Sequence, residues 1–170
     1  FYGGKTIWLT GASSGIGEAM ALALAACPCR LILSARREAE LERVAAACRA
    51  AGPALVHVLP IDLADATRLP TQAQAALALG NGRLDVLIHN AGVSQRARAE
   101  DTAPEVERRL MEVNFFGPVA LTRAALPALR AQGGGHIGVI TSVVGKFGVP
   151  QRSAYAASKH ALHGYFDALR

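Results

Sequence analysis

Tyr155 and Lys159 stand four residues apart in "SAYAASKHAL". On a helix this spacing puts both side chains on one face, so a phenol able to give or take a proton would sit beside an ammonium able to stabilise phenolate. The pair needs company, because two amphipathic side chains on any surface helix produce the same pattern. Ser142 supplies some of it: it follows an apolar run read as a strand and closes that strand at the carboxyl edge of a sheet, where ligands bind in open α/β folds. The other chemical stretch is "TGASSGIG", Thr10 to Gly17. Gly11, Gly15 and Gly17 there would let a diphosphate approach backbone N–H groups at the positive end of a helix, or would only make a tight strand-to-helix turn. A P-loop is excluded, because no Lys-Ser or Lys-Thr follows Gly17.

The next strand bears on which phosphate would be bound. Leu31-Ile32-Leu33-Ser34 runs into Ala35-Arg36-Arg37, and no acidic residue appears until Glu38. An NAD site commonly has an acidic residue here for the ribose hydroxyls, whereas a 2′-phosphate calls for arginine. Arg36 is therefore the first candidate for that phosphate, with Ser34 and Arg37 as secondary candidates, and NADP(H) is the expected cofactor.

The elements that must position these residues alternate. β-Branched and leucine-rich runs predict strands at Lys5–Thr10, Arg30–Ser34, Leu55–Leu59, Arg83–His89 and His136–Thr141. Alanine-rich segments between them predict helices at Gly15–Ala26, Arg37–Ala51, Ala66–Leu79 and Pro104–Gln132, with a last helix from about Arg152. This alternation is that of βαβ units in a doubly wound parallel sheet. The glutamates Glu38, Glu40 and Glu42, interleaved with Arg36, Arg37 and Arg43, read as a solvated helix face rather than as chemistry.

Composition narrows the function. With 170 residues and 51% hydrophobic content, the chain suits one packed domain, residues 1–170. The net charge of +5 is scattered, and aromatic residues make up only 5% of the chain, so neither a nucleic-acid tract nor stacking platforms are present. Cys27, Cys29 and Cys48 cannot all pair and complete no zinc spacing, which fits a reduced, cytoplasmic compartment and no metal. No run is long enough to cross a bilayer. The chain starts at Phe1, and an N-terminal membrane anchor upstream of it stays open.

Taken together, the motifs resemble those of the short-chain dehydrogenase/reductase family in its standard-length branch: Thr10 to Gly17, Asn90-Ala91-Gly92, Asn114 in "VNFFG", Ser142 in "VITSVVGK", and Tyr155 with Lys159. The resemblance runs across essentially the whole chain and implies a Rossmann fold and a nicotinamide cofactor. It implies that Tyr155 is the general acid/base, Lys159 its electrostatic partner, with both also contacting the cofactor, and Ser142 the hydrogen-bond partner of the substrate oxygen. Asn114 would hold a water linking Lys159 to solvent. Ser13, Ser14 and Ile16 would line the diphosphate turn, Asp62 would contact adenine, and Asn90, Ala91 and Gly92 would lie beside the cofactor. His89 stands where the family more often has asparagine and is read as structural.

The implied activity is hydride transfer between NADP(H) and a small carbonyl or alcohol substrate. A 3-oxoacyl carrier-protein reductase and a non-catalytic dinucleotide-binding module are the alternatives. Family members continue beyond the YxxxK helix, so the domain is expected to be truncated at both ends. Phe115, Phe116, Tyr165 and Phe166 lie on helices that resemble those through which members pair, implying a homo-oligomer, dimer or tetramer.

Overall fold

The computed structural model describes residues 1–169. Five strands, β1 (Thr6–Thr10), β2 (Arg30–Ser34), β3 (Leu55–Val58), β4 (Val86–His89) and β5 (His136–Val139), form one parallel sheet in the order β3-β2-β1-β4-β5. The register pairs Thr10 with Ser34 and Leu9 with Ile88, so the strands end together at one edge. Strand order reverses between β1 and β4, which opens a crevice beyond their carboxyl ends.

Helices cover both faces. α1 (Gly15–Ala25) and α2 (Glu38–Ala51) bury Leu24, Leu41 and Val44 against Ile7, Leu9, Leu31 and Leu33. On the other face, α3 (Leu69–Leu79) and α5 (Gly117–Ala131) bury Leu69, Leu121 and Leu129 against Trp8, Ile32 and Leu87. The central strands are apolar on both sides, which is why they read as continuous hydrophobic runs rather than alternating ones. α4 (Pro104–Met111) and α6 (Ser153–Ala168) complete the helices. Arg43 bridges Glu18 and Glu40 at 2.8 and 3.0 Å, consistent with a solvated ionic face on α2.

Three expectations about elements change. α3 begins at Leu69 rather than Ala66, because Pro70 lacks an N–H and is tolerated only in a helix's first turn. The single helix expected over Pro104–Gln132 is two helices joined by a π-helical turn, Glu112–Phe116, in which Gly117 donates to the Glu112 carbonyl five residues back. β5 ends at Val139, so Ser142 does not close the strand but lies three residues beyond it, at the N-cap of the 3-10 turn Val143–Gly145. β2 keeps its expected bounds, β1 begins and β3 ends one residue inside theirs, and β4 begins at Val86 instead of Arg83.

Candidate active site

Turns leaving β1 to β4 at the carboxyl edge enclose a cleft of about 340 Å³. Gly11, Ser13, Ser14, Ile16 and Gly17 line it from the first turn, Ser34, Arg36 and Arg37 from the second, Asp62 from the third, and Asn90, Ala91 and Gly92 from the fourth. Gly15, expected among them, does not line it.

The first turn is tight because two chains meet there. A Cβ on Gly17 would stand 2.1 Å from the Gly11 carbonyl oxygen, and one on Gly11, whose φ is +69°, would stand 2.6 Å from Ala91 Cα. The Asn90 amide nitrogen donates to the carbonyls of Thr10 and Gly11, both at 3.1 Å, tying the glycine turn to the end of β4. Thr10 does the reciprocal work: its hydroxyl accepts from the backbone N–H groups of Asn90 and Ala91 at 3.1 and 3.2 Å and donates to the Ile88 carbonyl. Thr10 was not among the expected site residues, although it opens the glycine motif.

The cleft suits an anionic ligand. Ser14 at the N-cap of α1 makes no side-chain cap, so the N–H groups of Gly15, Ile16 and Gly17 have no helix acceptor and no serine oxygen in their way, whereas Glu18 N donates to the Ser14 carbonyl. The one carboxylate in that turn, Glu18, is drawn to Arg43, whose guanidinium holds the carboxyl below the usual range. Arg37 spans the first and second turns, donating to Ser14 Oγ at 3.4 Å. The exposed Arg36 guanidinium has no ion-pair or hydrogen-bond partner among the described residues.

The residues expected to handle the proton, other than Ser142, lie on α6 and the π turn. Lys159 is 4% exposed and donates from Nζ to the Ile140 carbonyl at 3.0 Å, with Nζ 5.8 Å from the Tyr155 ring centroid. Burial pushes its ammonium below the ordinary lysine range, easing release of a proton. Asn114, 1% exposed, accepts at Oδ1 from Val93 N (2.8 Å) and donates from Nδ2 to Val93 O and Ser158 Oγ (2.9 and 3.0 Å). Ser158 in turn donates to the Tyr155 carbonyl at 2.8 Å, so the amide braces the loop after β4 against the helix carrying Tyr155. Among the described residues, the hydroxyls of Ser142 and Tyr155 have no hydrogen-bond partner and are open to a ligand.

Gly92 joins the two halves. It lines the cleft, and its Cβ position lies 3.3 Å from Asn114 Oδ1 and 3.6 Å from Lys159 Nζ. Nearby, His89 is buried at 2% exposure, with Nε2 2.8 Å from the Thr122 hydroxyl and Nδ1 unpartnered. Burial lowers it to about 3, so it is a neutral brace between β4 and α5. Ser158 and Arg152, which lies against Tyr155, were also absent from the expected site; only their places beside the YxxxK pair hinted at them.

Comparison with known proteins agrees with this fold. A family model described as short chain dehydrogenase matches residues 5–170. A Drosophila melanogaster dehydrogenase/reductase SDR family protein 7-like is 48% identical over 170 residues, covering 98% of this chain and 52% of the fly protein. The chain thus spans about half the length of the curated relatives it matches. A Burkholderia phymatum short chain dehydrogenase/reductase solved with NAD superposes at TM-score 0.92 with 31% identity, covering 99% of this chain and 59% of that one. An alcohol dehydrogenase from Thermococcus sibiricus complexed with 5-hydroxy-NADP gives 0.90 and 31%, covering 97% and 69%.

Proposed function

Because this chain belongs to the short-chain dehydrogenase family, we propose that it is an NADP(H)-dependent oxidoreductase acting on a carbonyl or alcohol carbon. The observation that carries the reading is the junction at Gly92, which puts a phosphate-ready cleft in contact with Asn114 and Lys159, beside Tyr155. Solved relatives hold NAD in one case and an NADP derivative in another, so the cofactor choice rests on this chain's own residues. Unpaired Arg36 favours the 2′-phosphate, with Arg37 and Ser34 beside it.

The nicotinamide, when bound, supplies or accepts the hydride. Gly11, Ser13, Ser14, Ile16 and Gly17 would hold the diphosphate against the start of α1, and Asp62 would meet the adenine. During carbonyl reduction Tyr155 would give its phenolic proton to the substrate oxygen; during alcohol oxidation it would take that proton back. Ser142 would donate a hydrogen bond to the same oxygen as charge develops on it. Lys159 would favour the phenolate and pass a proton onward. The side-chain amide hydrogens of Asn114 are both spent, but Oδ1 accepts one bond and has capacity for a second, which the linking water would donate.

The aromatic residues Phe115, Phe116, Tyr165 and Phe166 form a run of ring contacts at 5.0 to 6.1 Å, with Phe116 48% exposed, which supports pairing of copies through this face. Among the described residues, no helix is long and apolar enough to cross a membrane.

The test is turnover of the full-length protein with NADPH or NADP⁺ over a panel of simple carbonyls and alcohols. Tyr155→Phe should lower turnover by about a hundredfold or more while NADPH binding, followed by fluorescence, stays intact. Tight binding without turnover in the parent would favour the non-catalytic module. Unchanged turnover in Tyr155→Phe would refute the assigned chemistry.

A further inference from the structure

Arg152 sits at the N-cap position of α6, three residues before Tyr155, and its guanidinium carbon lies 5.9 Å from the centroid of the Tyr155 ring. It is held there from outside the helix. Its Nη1 donates to Ser94 Oγ and, at 3.2 Å, to the Gln95 carbonyl, both in the loop after β4. The neighbouring residue strengthens the link: Gln151 adopts φ of +64°, a left-handed conformation uncommon outside glycine, and accepts from Ala97 N at 3.2 Å and from Arg96 Nε at 3.3 Å. Four bonds therefore strap residues 94–97 to the two residues that open α6. Strain of this kind persists only where surrounding contacts hold it, and it gathers at functional sites.

The strap has a chemical consequence. Among the described residues, Lys159 and Arg152 are the charged groups placed against the Tyr155 ring, at 5.8 and 5.9 Å. Lys159 is buried and already drawn toward its neutral form, whereas a guanidinium stays charged at every working pH. Resting on the reading of Tyr155 as the acid/base, we propose that Arg152 is a positioning residue for it. Arg152 grips the Ser94–Gln95 backbone so that a permanent cation stays against the phenol ring and the loop after β4 moves with α6.

Full-length protein should be assayed with NADP⁺ and the best alcohol from a panel of simple secondary alcohols, comparing the parent with Arg152→Gln, Arg152→Lys and Ser94→Ala. A unit charge about 6 Å from the centre of the ring that bears the developing charge, in partly screened surroundings, is worth roughly tenfold in an equilibrium that creates the opposite charge. Arg152→Gln should therefore lower the oxidation kcat about tenfold at neutral pH, with the deficit closing at alkaline pH and NADPH affinity unchanged. Arg152→Lys should recover most of the loss, and Ser94→Ala, which keeps the charge but loosens the grip, should fall between. Arg152→Gln at the parental kcat, or an equal deficit at every pH without rescue by lysine, would overturn the proposal. Turnover surviving in Tyr155→Phe would instead remove the underlying reading. A dead Tyr155→Phe alongside an unaffected Arg152→Gln would remove Arg152 alone.

Discussion

Acidification should loosen the site through His89. This imidazole is 2% exposed, bonded only through Nε2 to Thr122, and pushed down to about 3 by burial. In the unfolded chain it titrates near about 6.5, so between those values the unfolded state binds more protons than the folded one. The stability His89 contributes is therefore complete above pH 6.5 and is lost as pH falls toward 3. Each unit in that window costs about 1.4 kcal/mol, so moving from pH 7 to pH 5 removes about 2 kcal/mol. Denaturant unfolding of the full-length protein and of His89→Asn at both pH values isolates this contribution, because carboxylates such as Asp85 titrate in both proteins and cancel. The variant, lacking the imidazole's packing, should be less stable at pH 7. The gap to the parent should then narrow by about 2 kcal/mol at pH 5. Equal acid sensitivity in the two proteins would refute the assignment of His89 as a neutral brace.

Replacing Arg36 with Gln should weaken NADPH binding by about tenfold or more and leave NADH nearly unchanged, as read by fluorescence titration; a parental NADPH to NADH ratio would end the 2′-phosphate argument. Gly17→Ala should abolish cofactor binding, since its Cβ meets a backbone oxygen at 2.1 Å that no side-chain rotation can move. Gly15→Ala should cost only about 1 to 2 kcal/mol of left-handed strain, because no atom lies within 4 Å of its Cβ position; a larger effect there than at Gly17 would show that close approach is not the constraint. Thr10→Val should lower unfolding stability by about 2 kcal/mol or more by stranding the Asn90 and Ala91 amides, with Thr10→Ser close to the parent.

The cleft was legible in the sequence because its demands are local. A positive-φ turn after a strand admits little but glycine, and an uncompensated arginine after the next strand stands out against the acidic residue an NAD site uses. The sheet was legible for a related reason: strands buried on both faces by helices must be apolar throughout. The braces were not. Thr10, Ser158 and Arg152 act through partners 80, 44 and 58 residues away, and a threonine, serine or arginine in those places has no local pattern that distinguishes it from a surface residue.

The π turn lies between these cases, and its cause can be read from one residue. In an uninterrupted helix the N–H of residue 118 would bond the Asn114 carbonyl, but residue 118 is proline, which has no N–H and whose ring crowds that carbonyl. The ladder slips to the longer i→i−5 bond seen from Gly117 to Glu112. The π turn holds Asn114, whose one side chain reaches both the Val93 backbone and Ser158. An α-periodic reading of "VNFFGP" places Asn114 on a helix face, and Pro118 is the residue in the sequence at which the ladder loses a donor.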